Sequence, residues 1–193
     1  MQIGTASIDL AFIFFSVHHA SKAAMISAML QRALRAKVCL GCSGEGVIAG
    51  SQEIETAAAL TVWVACLPDV KLTPLQISVS QLQDQIRMPG WPEPGIEDAT
   101  FLLLADPFST PMQEVLSLIN ERYPHGKVGG GLAGGGQDSG ENRLLLNDQS
   151  FDGGVVGVQL TGPITVRTVT SQGCRPIGER FVVTRAEQNL IYE

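Results

Sequence analysis

The sequence predicts an α/β domain built from two strand–helix–strand units with additional antiparallel strands; a mixed α+β arrangement is the alternative. Three observations predict this class. Short apolar runs rich in Val, Ile, Leu and Phe are typical of buried strands. Two segments of helix-forming residues each lie between such runs, and a glycine-rich turn follows the second strand of each unit. Short connections of this kind normally make the two strands parallel, with a right-handed crossover.

Length and composition limit the function classes. The chain has 193 residues, 45% of them hydrophobic and 17% charged, which is enough for a folded core and argues against disorder. The net charge is −6, so the chain does not have the excess of basic residues that is typical of nucleic-acid-binding proteins. No apolar run approaches the roughly 20 residues of a membrane span. With no export signal and four cysteines, too few for a disulfide scaffold, we expect a cytoplasmic protein with free thiols and no membrane partner.

The first unit occupies the N-terminal part of the chain. Residues 9–16 form an apolar, Phe- and Ile-rich run that predicts a buried strand. Residues 20–35 predict a helix, because Ala, Met, Leu, Gln and Arg dominate and Met25 and Met29 recur at helical spacing. Residues 38–42 predict the second strand, which runs into a glycine-rich turn.

The second unit follows two further strands and a loop. Residues 58–67 and 72–79 predict strands, and the Pro- and Gly-rich segment 88–95 predicts a loop. The elements expected after that loop are strand 100–105, helix 111–123 with Thr110 as N-cap, strand 127–132 ending in a glycine-rich turn, and strands 143–147, 154–161 and 164–170.

The two units predict an internal duplication. A shift of ninety positions brings three glycines of the first turn onto three of the second: Gly41 onto Gly131, Gly44 onto Gly134 and Gly46 onto Gly136. The strand–helix–strand order coincides under the same shift, which gives pseudo-repeats of about 7–80 and 97–170. Two such units can build one sheet or two packed sheets about a pseudo-twofold axis.

Polar side chains follow the strands at the edge where ligands of open α/β sheets usually bind. The candidate ligand-binding residues at this carboxyl edge are His18, His19, Cys42, Ser43, Glu45, Asp106, Phe108, Ser109 and Gly134. The segment after the last long strand adds Ser171, Gln172 and Arg175. Arg175 suits a carboxylate, although an exposed polar turn explains this segment equally well.

Several of these features have alternative interpretations. The glycine turns either present backbone N–H groups to an anion or only permit tight turns. No phosphate-loop motif is present, and the dinucleotide pattern is weak.

Cys39 and Cys42 have C-x-x-C spacing, but on a strand they face apart and no further metal ligands are evident, so we expect no metal or cofactor. His18 and His19 could cap the helix, pair with Glu45, bind a ligand or serve as a base beside Cys42.

The sequence resembles the FIST domain family, specifically its N-terminal module, over nearly the whole chain. The resemblance implies a sensory, signal-transduction module, found in bacterial sensory proteins and some eukaryotic F-box proteins, that binds small ligands, with amino acids proposed. The resemblance does not imply an enzymatic activity that has been demonstrated for the family. Five segments in the expected order support it: Phe14-Phe15-Ser16 through His18-His19, Gly41-Cys42-Ser43-Gly44-Glu45-Gly46-Val47-Ile48, Ala105-Asp106-Pro107-Phe108-Ser109, Val128-Gly129-Gly130-Gly131-Leu132-Ala133, and Ser171-Gln172-Gly173-Cys174-Arg175-Pro176-Ile177-Gly178.

The resemblance also implies a domain boundary. Residues 1–178 match the N-terminal-type domain, and residues 179–193 are expected to form the junction and first strand toward a C-terminal module, unless the last strand pairs back onto this domain. The implied partners are a small-molecule ligand and either a downstream signalling protein or a second FIST module. Oligomeric state stays open.

Three functions compete at this stage. The first is a small-ligand sensor with its site at the carboxyl edge of the strands. The second is an enzyme that uses Cys42 or Cys174 as nucleophile and His18 or His19 as base. The third is an interaction scaffold whose Pro-rich loop near Trp91 binds protein partners. The sequence favours the sensor, because it needs only a polar pocket on a glycine-rich edge.

Overall fold

The computed structural model describes residues 7–78, 80–82, 85–87, 89–90, 99–169, 177–179, 181–187 and 190–192. The helices are α1 (Ala23–Leu34), preceded by a 3-10 helix over Val17–Lys22, and α2 (Met112–Arg122). The strands are β1 (Leu10–Ser16), β2 (Val38–Gly44), β3 (Val47–Ala49), β4 (Gln52–Ile54), β5 (Leu60–Ala65), β6 (Lys71–Ile77), β7 (Ser80–Leu82), β8 (Gln85–Arg87), β9 (Thr100–Ala105), β10 (Lys127–Leu132), β11 (Leu144–Leu146), β12 (Gln149–Phe151), β13 (Val155–Thr161), β14 (Ala186–Glu187) and β15 (Leu190–Ile191).

Nine of these strands form two larger sheets. The first sheet has the order β12-β11-β2-β1-β5, and the second has the order β10-β9-β13-β6. In each sheet one pair is parallel, β1 with β2 and β9 with β10, and the other pairs are antiparallel. The predicted α/β class with additional antiparallel strands is therefore confirmed. Three separate hairpins pair β3 with β4, β7 with β8 and β14 with β15.

The two sheets pack face to face, and each carries a helix on its outer face. Successive side chains of a strand point to opposite faces. On β1, Ile13 and Phe15 therefore pack in the cluster that includes Ala23 of α1, whereas Leu10 belongs to the core between the sheets. On β9, Phe101 packs with the α2 residues in the same way. The result is a four-layer α-β-β-α arrangement with its main core between the sheets.

Several predicted elements differ in detail. The expected helix over 20–35 begins as a 3-10 turn and becomes α-helical only at Ala23. Thr110 is not the N-cap of α2, because Pro111 holds that position and the Thr110 hydroxyl donates to the Gly154 carbonyl at 3.0 Å. Residues 164–169 contain no strand, since most of their side chains are exposed and offer no apolar face to pair against a sheet. Thr170 lies outside the described residues.

The two strand–helix–strand units share their strand order but not their full spacing. Ile13 lies opposite Gly41 in the ladder of β1 and β2, and Leu103 lies opposite Gly130 in the ladder of β9 and β10. The spacing between the units is therefore ninety residues at the first strand and eighty-nine at the second. Gly41 corresponds in the structure to Gly130, not to Gly131 as the constant shift of ninety predicts. The duplication itself stays a prediction.

Candidate functional site

A cavity of about 1030 Å³ lies between the two sheets. One wall comes from β1, β2 and β5 of the first sheet, and the other from β9 and β10 of the second. The β3–β4 hairpin contributes Val47 and Ile48 to its lining. The carboxyl ends of β2 and β10 both reach the cavity, through Ser43, Gly44 and Leu132. The predicted edge therefore forms part of a deeper space between the sheets.

The first wall is aromatic. Phe12 and Phe14 are two residues apart on β1 and so share the face that looks toward the second sheet. Their ring centroids are 6.0 Å apart and the rings are within 8° of parallel. Because β5 runs antiparallel beside β1, Trp63 lies opposite Phe12, with 5.9 Å between the ring centroids. Trp63 remains 58% exposed, so its indole is accessible to a bound molecule.

The second wall combines leucines with glycines. Leu102, Leu104 and Leu132 line it together with Gly130 and Gly131. A Cβ on Gly130, whose φ is +151°, would collide with the Leu103 carbonyl oxygen of β9. A Cβ on Gly131 would meet no heavy atom within 4 Å. The missing side chain at Gly131 therefore leaves space that a small aliphatic or aromatic group can occupy.

The two cysteines of β2 are poor nucleophiles. Cys42 lines the cavity but is 5% exposed, and burial raises the pKa of its thiol to about 12. Burial likewise raises the pKa of Cys39 to about 11. The two thiols lie on opposite faces of β2, Cys39 toward α1 and Cys42 in the core between the sheets, as predicted. Within the described ranges no cluster of three His, Cys, Asp or Glu side chains could hold a metal ion.

A buried polar network lies at the carboxyl ends of β2 and β9. Asp106 is fully buried; its Oδ1 accepts from Asn142 Nδ2 at 3.0 Å, and its Oδ2 accepts from Ser109 N at 2.9 Å and Ser109 Oγ at 2.7 Å. Asn142 Oδ1 in turn accepts from the Gly136 amide at 3.0 Å and lies 3.5 Å from the Ser43 hydroxyl. We call Ser43, Asp106, Ser109 and Asn142 the polar latch, because they tie the two sheets together.

The latch brings together four of the sequence-predicted site residues. Ser43, Asp106 and Ser109 are members, and the Gly134 amide donates to the Ser43 carbonyl at 3.1 Å. Their polar atoms bond to one another or to the adjoining backbone, and these bonds join the two sheets. Of the predicted residues that the structure describes, only Cys42 and Ser43 line the large cavity.

The other predicted residues within the described ranges do not line that cavity. His18 is exposed, with Nδ1 3.3 Å from the Ser16 hydroxyl, and His19 is half-buried on the same 3-10 helix. No ion pair joins either histidine to Glu45, which is exposed. Phe108 is also exposed. Five residues to which sequence reasoning assigned a candidate role in binding or catalysis lie outside the described residues: Trp91, Ser171, Gln172, Cys174 and Arg175.

Sequence reasoning missed Trp63, Gly131 and Asn142. Trp63 sits on a predicted strand, and pairing that strand with β1 would have placed it beside Phe12. Gly131 lies within the predicted strand 127–132, which β10 confirms, but it was not named among the candidate site residues. Asn142 occupies a loop with no local pattern that marks it, so no sequence signal could have found it.

Comparison with known proteins decides the family. The family model described as the FIST N domain matches residues 9–193. The chain belongs to the FIST N family. The FIST N domain is a sensory, signal-transduction domain, which agrees with the resemblance of the five segments. No solved structure matches this FIST N domain.

Its curated relatives are mycobacterial. An uncharacterized protein of Mycobacterium tuberculosis is 32% identical over 184 residues, which cover 95% of this chain and 47% of the relative. An uncharacterized protein of Mycobacterium bovis is 33% identical over 186 residues, with 96% and 47% covered. The chain spans about half the length of the curated relatives it matches. Among the described residues of this FIST N domain, no helix is long and apolar enough to cross a membrane.

Proposed function

We propose that this chain is a small-ligand-binding sensory module whose ligand occupies the cavity between the two sheets. The observation that carries the proposal is the preformed cavity itself, with Phe12, Phe14 and Trp63 on one wall and an unfilled position at Gly131 on the other. Ligand sites are typically concave, mostly apolar and preformed, with a few polar groups that fix orientation. Thr61 and the backbone of Gly44 are polar groups of this lining, whereas the Ser43 hydroxyl is already bonded to Asn142 and to the Arg143 amide.

Size and lining narrow the ligand class. About 1030 Å³ is at the upper end of the roughly 300–1,000 Å³ of small-molecule pockets. A free amino acid, the ligand implied by the resemblance, would fill only part of this space. Within that class, an aromatic amino acid matches the parallel Phe12 and Phe14 rings and the exposed Trp63 indole best, because offset stacking adds to apolar burial. A larger molecule with a flat apolar portion would also fill the space beside Gly131.

The thiol-enzyme alternative has less support at Cys42; Cys174 lies outside the described residues. A thiol with a pKa of about 12 is protonated at neutral pH, and the thiolate is the nucleophilic form. His18 is bonded to Ser16 rather than to Cys42. We therefore keep the sensor as the proposed function.

Trp63 supplies a direct reporter of binding. In a Trp91→Phe variant Trp63 is the remaining tryptophan, and its fluorescence can be followed while phenylalanine, leucine, glutamate and the aromatic dye 1-anilinonaphthalene-8-sulfonate are added. We expect saturable changes with phenylalanine and the dye, and weaker ones with leucine and glutamate. Absence of a saturable response to every probe would contradict a ligand site in this cavity.

A graded series at Gly131 links the response to the cavity. Gly131→Ala should leave binding of the dye nearly unchanged, Gly131→Val should weaken it, and Gly131→Phe should abolish it. The reason is that each larger side chain occupies more of the open space beside Gly131 that the ligand would need. Gln76→Phe is the matched control, since it adds the same ring at an exposed position of β6 that does not line the cavity. Dye binding to Gly131→Phe as tight as to the Gln76→Phe control would refute the assignment.

A further inference from the structure

A second cavity, of about 310 Å³, lies between the start of α1 and the β11–β12 hairpin. Ser21 and Ala24 line it from the helical side, and Arg143 and Ser150 line it from the hairpin side. It shares no lining residue with the large cavity between the sheets. Its most chemically specific member is Arg143, which sequence reasoning did not single out.

Arg143 is held rigidly. Its Nη1 donates to the Gly140 carbonyl at 2.5 Å and to the Asn142 carbonyl at 2.7 Å. Its own amide donates to the Ser43 hydroxyl at 3.1 Å, and the Ser43 amide donates to the Arg143 carbonyl at 2.8 Å. Both hydrogens of Nη1 are therefore used, and the guanidinium plane is fixed before any ligand arrives. A group that is already fixed loses little conformational entropy on binding.

The other edge of the same guanidinium has no partner among the described residues. Nε and Nη2 form that edge, and no described side chain or carbonyl accepts from them. No described carboxylate lies within 4 Å of Arg143. The side chain is half-buried, so water solvates this charge less fully than at an open surface. Two parallel N–H donors on a planar edge match the two oxygens of a carboxylate.

We propose that this cavity binds the carboxylate of a small monoanion, with Arg143 Nε and Nη2 as a bidentate clamp. The hydroxyls of Ser21 and Ser150 supply further donors along the walls. Asp152 lines the same cavity as an exposed residue, and its charge disfavours a ligand that carries a second negative group. This site does not depend on the proposed function of the large cavity.

The direct test follows the Arg143 Nε–H resonance by nitrogen-15 NMR while sodium propionate is added. Propionamide is the matched neutral probe, because it has the same shape without the charge. We expect a saturable shift with propionate and a binding constant at least about tenfold weaker for propionamide. An equal shift with sodium chloride would overturn the proposal, and tighter binding of inorganic phosphate than of propionate would overturn the carboxylate assignment.

Two variants separate the site from the fold. Arg143→Lys keeps the positive charge but loses the pair of parallel N–H donors. It should weaken propionate binding about tenfold, as measured from the chemical shifts of backbone amides around the cavity. Because Arg143 also holds two carbonyls, Ala24→Met is the second variant; it fills the cavity from an exposed position of α1. Ala33→Met is its control, exposed on the same helix but outside the cavity. Full propionate affinity in Ala24→Met would overturn the proposal.

Discussion

Replacing Asp106 with alanine tests whether this buried carboxylate holds the two sheets together or is reserved for a ligand. Asp106 follows β9, is fully buried and accepts three hydrogen bonds, one from Asn142 and two from Ser109. Asn142 is also fully buried and connects the carboxylate to Gly136 and the end of β2. The hydrogen bonds therefore cross from the second sheet to the first.

The expected loss of stability follows from the donors left behind. Alanine leaves the buried Nδ2 of Asn142 and the part-buried amide of Ser109 without acceptors, at about 1–3 kcal/mol each. The Ser109 hydroxyl can rotate and adds less. Removing a carboxylate that is costly to bury offsets part of the loss. We therefore expect Asp106→Ala to lower the free energy of unfolding by about 2–4 kcal/mol, a substantial part of the 5–15 kcal/mol typical of a domain.

Urea unfolding followed by far-UV circular dichroism measures this loss. Asp138→Ala is the matched control, because Asp138 is exposed and its carboxylate makes no hydrogen bond to a described residue; it should change stability by less than about 0.5 kcal/mol. The double variant with Asn142→Ala should lose less than the sum of the single losses, since both remove the same bond. An Asp106→Ala protein as stable as wild type would refute the latch, and a more stable one would favour a residue kept for ligand binding.

Three further predictions concern charge, thiols and strand contact. The hydrogen bond from Lys37, with that from a backbone amide, holds the pKa of Asp9 below its ordinary 3.8. The ionised Asp9 therefore contributes to the free energy of unfolding above that pH, and this contribution is lost as the pH falls through the lower pKa of the folded state. In unfolding scans at decreasing pH, Asp9→Asn should lose less stability on acidification than wild type. Peptide mapping after thiol labelling at pH 7 should find exposed Cys66 modified far faster than Cys42. Gly41→Ala should be destabilising by about 3 kcal/mol or more in urea, because its Cβ would clash with a carbonyl oxygen of β1, whereas Gly131→Ala should not.

Local patterns were sufficient for the units that frame the site. Apolar runs and helix formers placed β1, α1, β2, β9, α2 and β10 within a few residues, because these elements depend on neighbours in sequence. The sequence also named Ser43 and Asp106 as candidate residues, but Ser43 lies on β2 and Asp106 follows β9, which belong to different sheets, so their convergence depends on how the two sheets pack. The contact of Asn142 with both was not predicted either, since it joins a loop to residues 36 and 99 positions away and no periodicity records it.

The cavity could not be derived because both faces of β1 are apolar. Its inner face presents Leu10, Phe12 and Phe14, and its outer face presents Ile13 and Phe15. A strand buried on both sides has no polar face to show which side meets a helix and which meets another sheet. The position of the cavity depends on how the two sheets oppose each other, and that is a tertiary property.

The spacing of eighty-nine residues at the second strand of the two units changes which glycine is matched with Cys42 and lines the cavity. With Gly41 equivalent to Gly130, Cys42 becomes equivalent to Gly131, and both of these line the cavity from matching ladder positions opposite Phe14 and Leu104. The first unit fills its position with a thiol, and the second leaves it empty. Gly130 is required by strand contact, so Gly131 is the glycine whose lack of a side chain adds volume to the cavity. A ligand there would touch equivalent strands of both units, which is the arrangement a sensor needs if binding is to alter how the two halves pack.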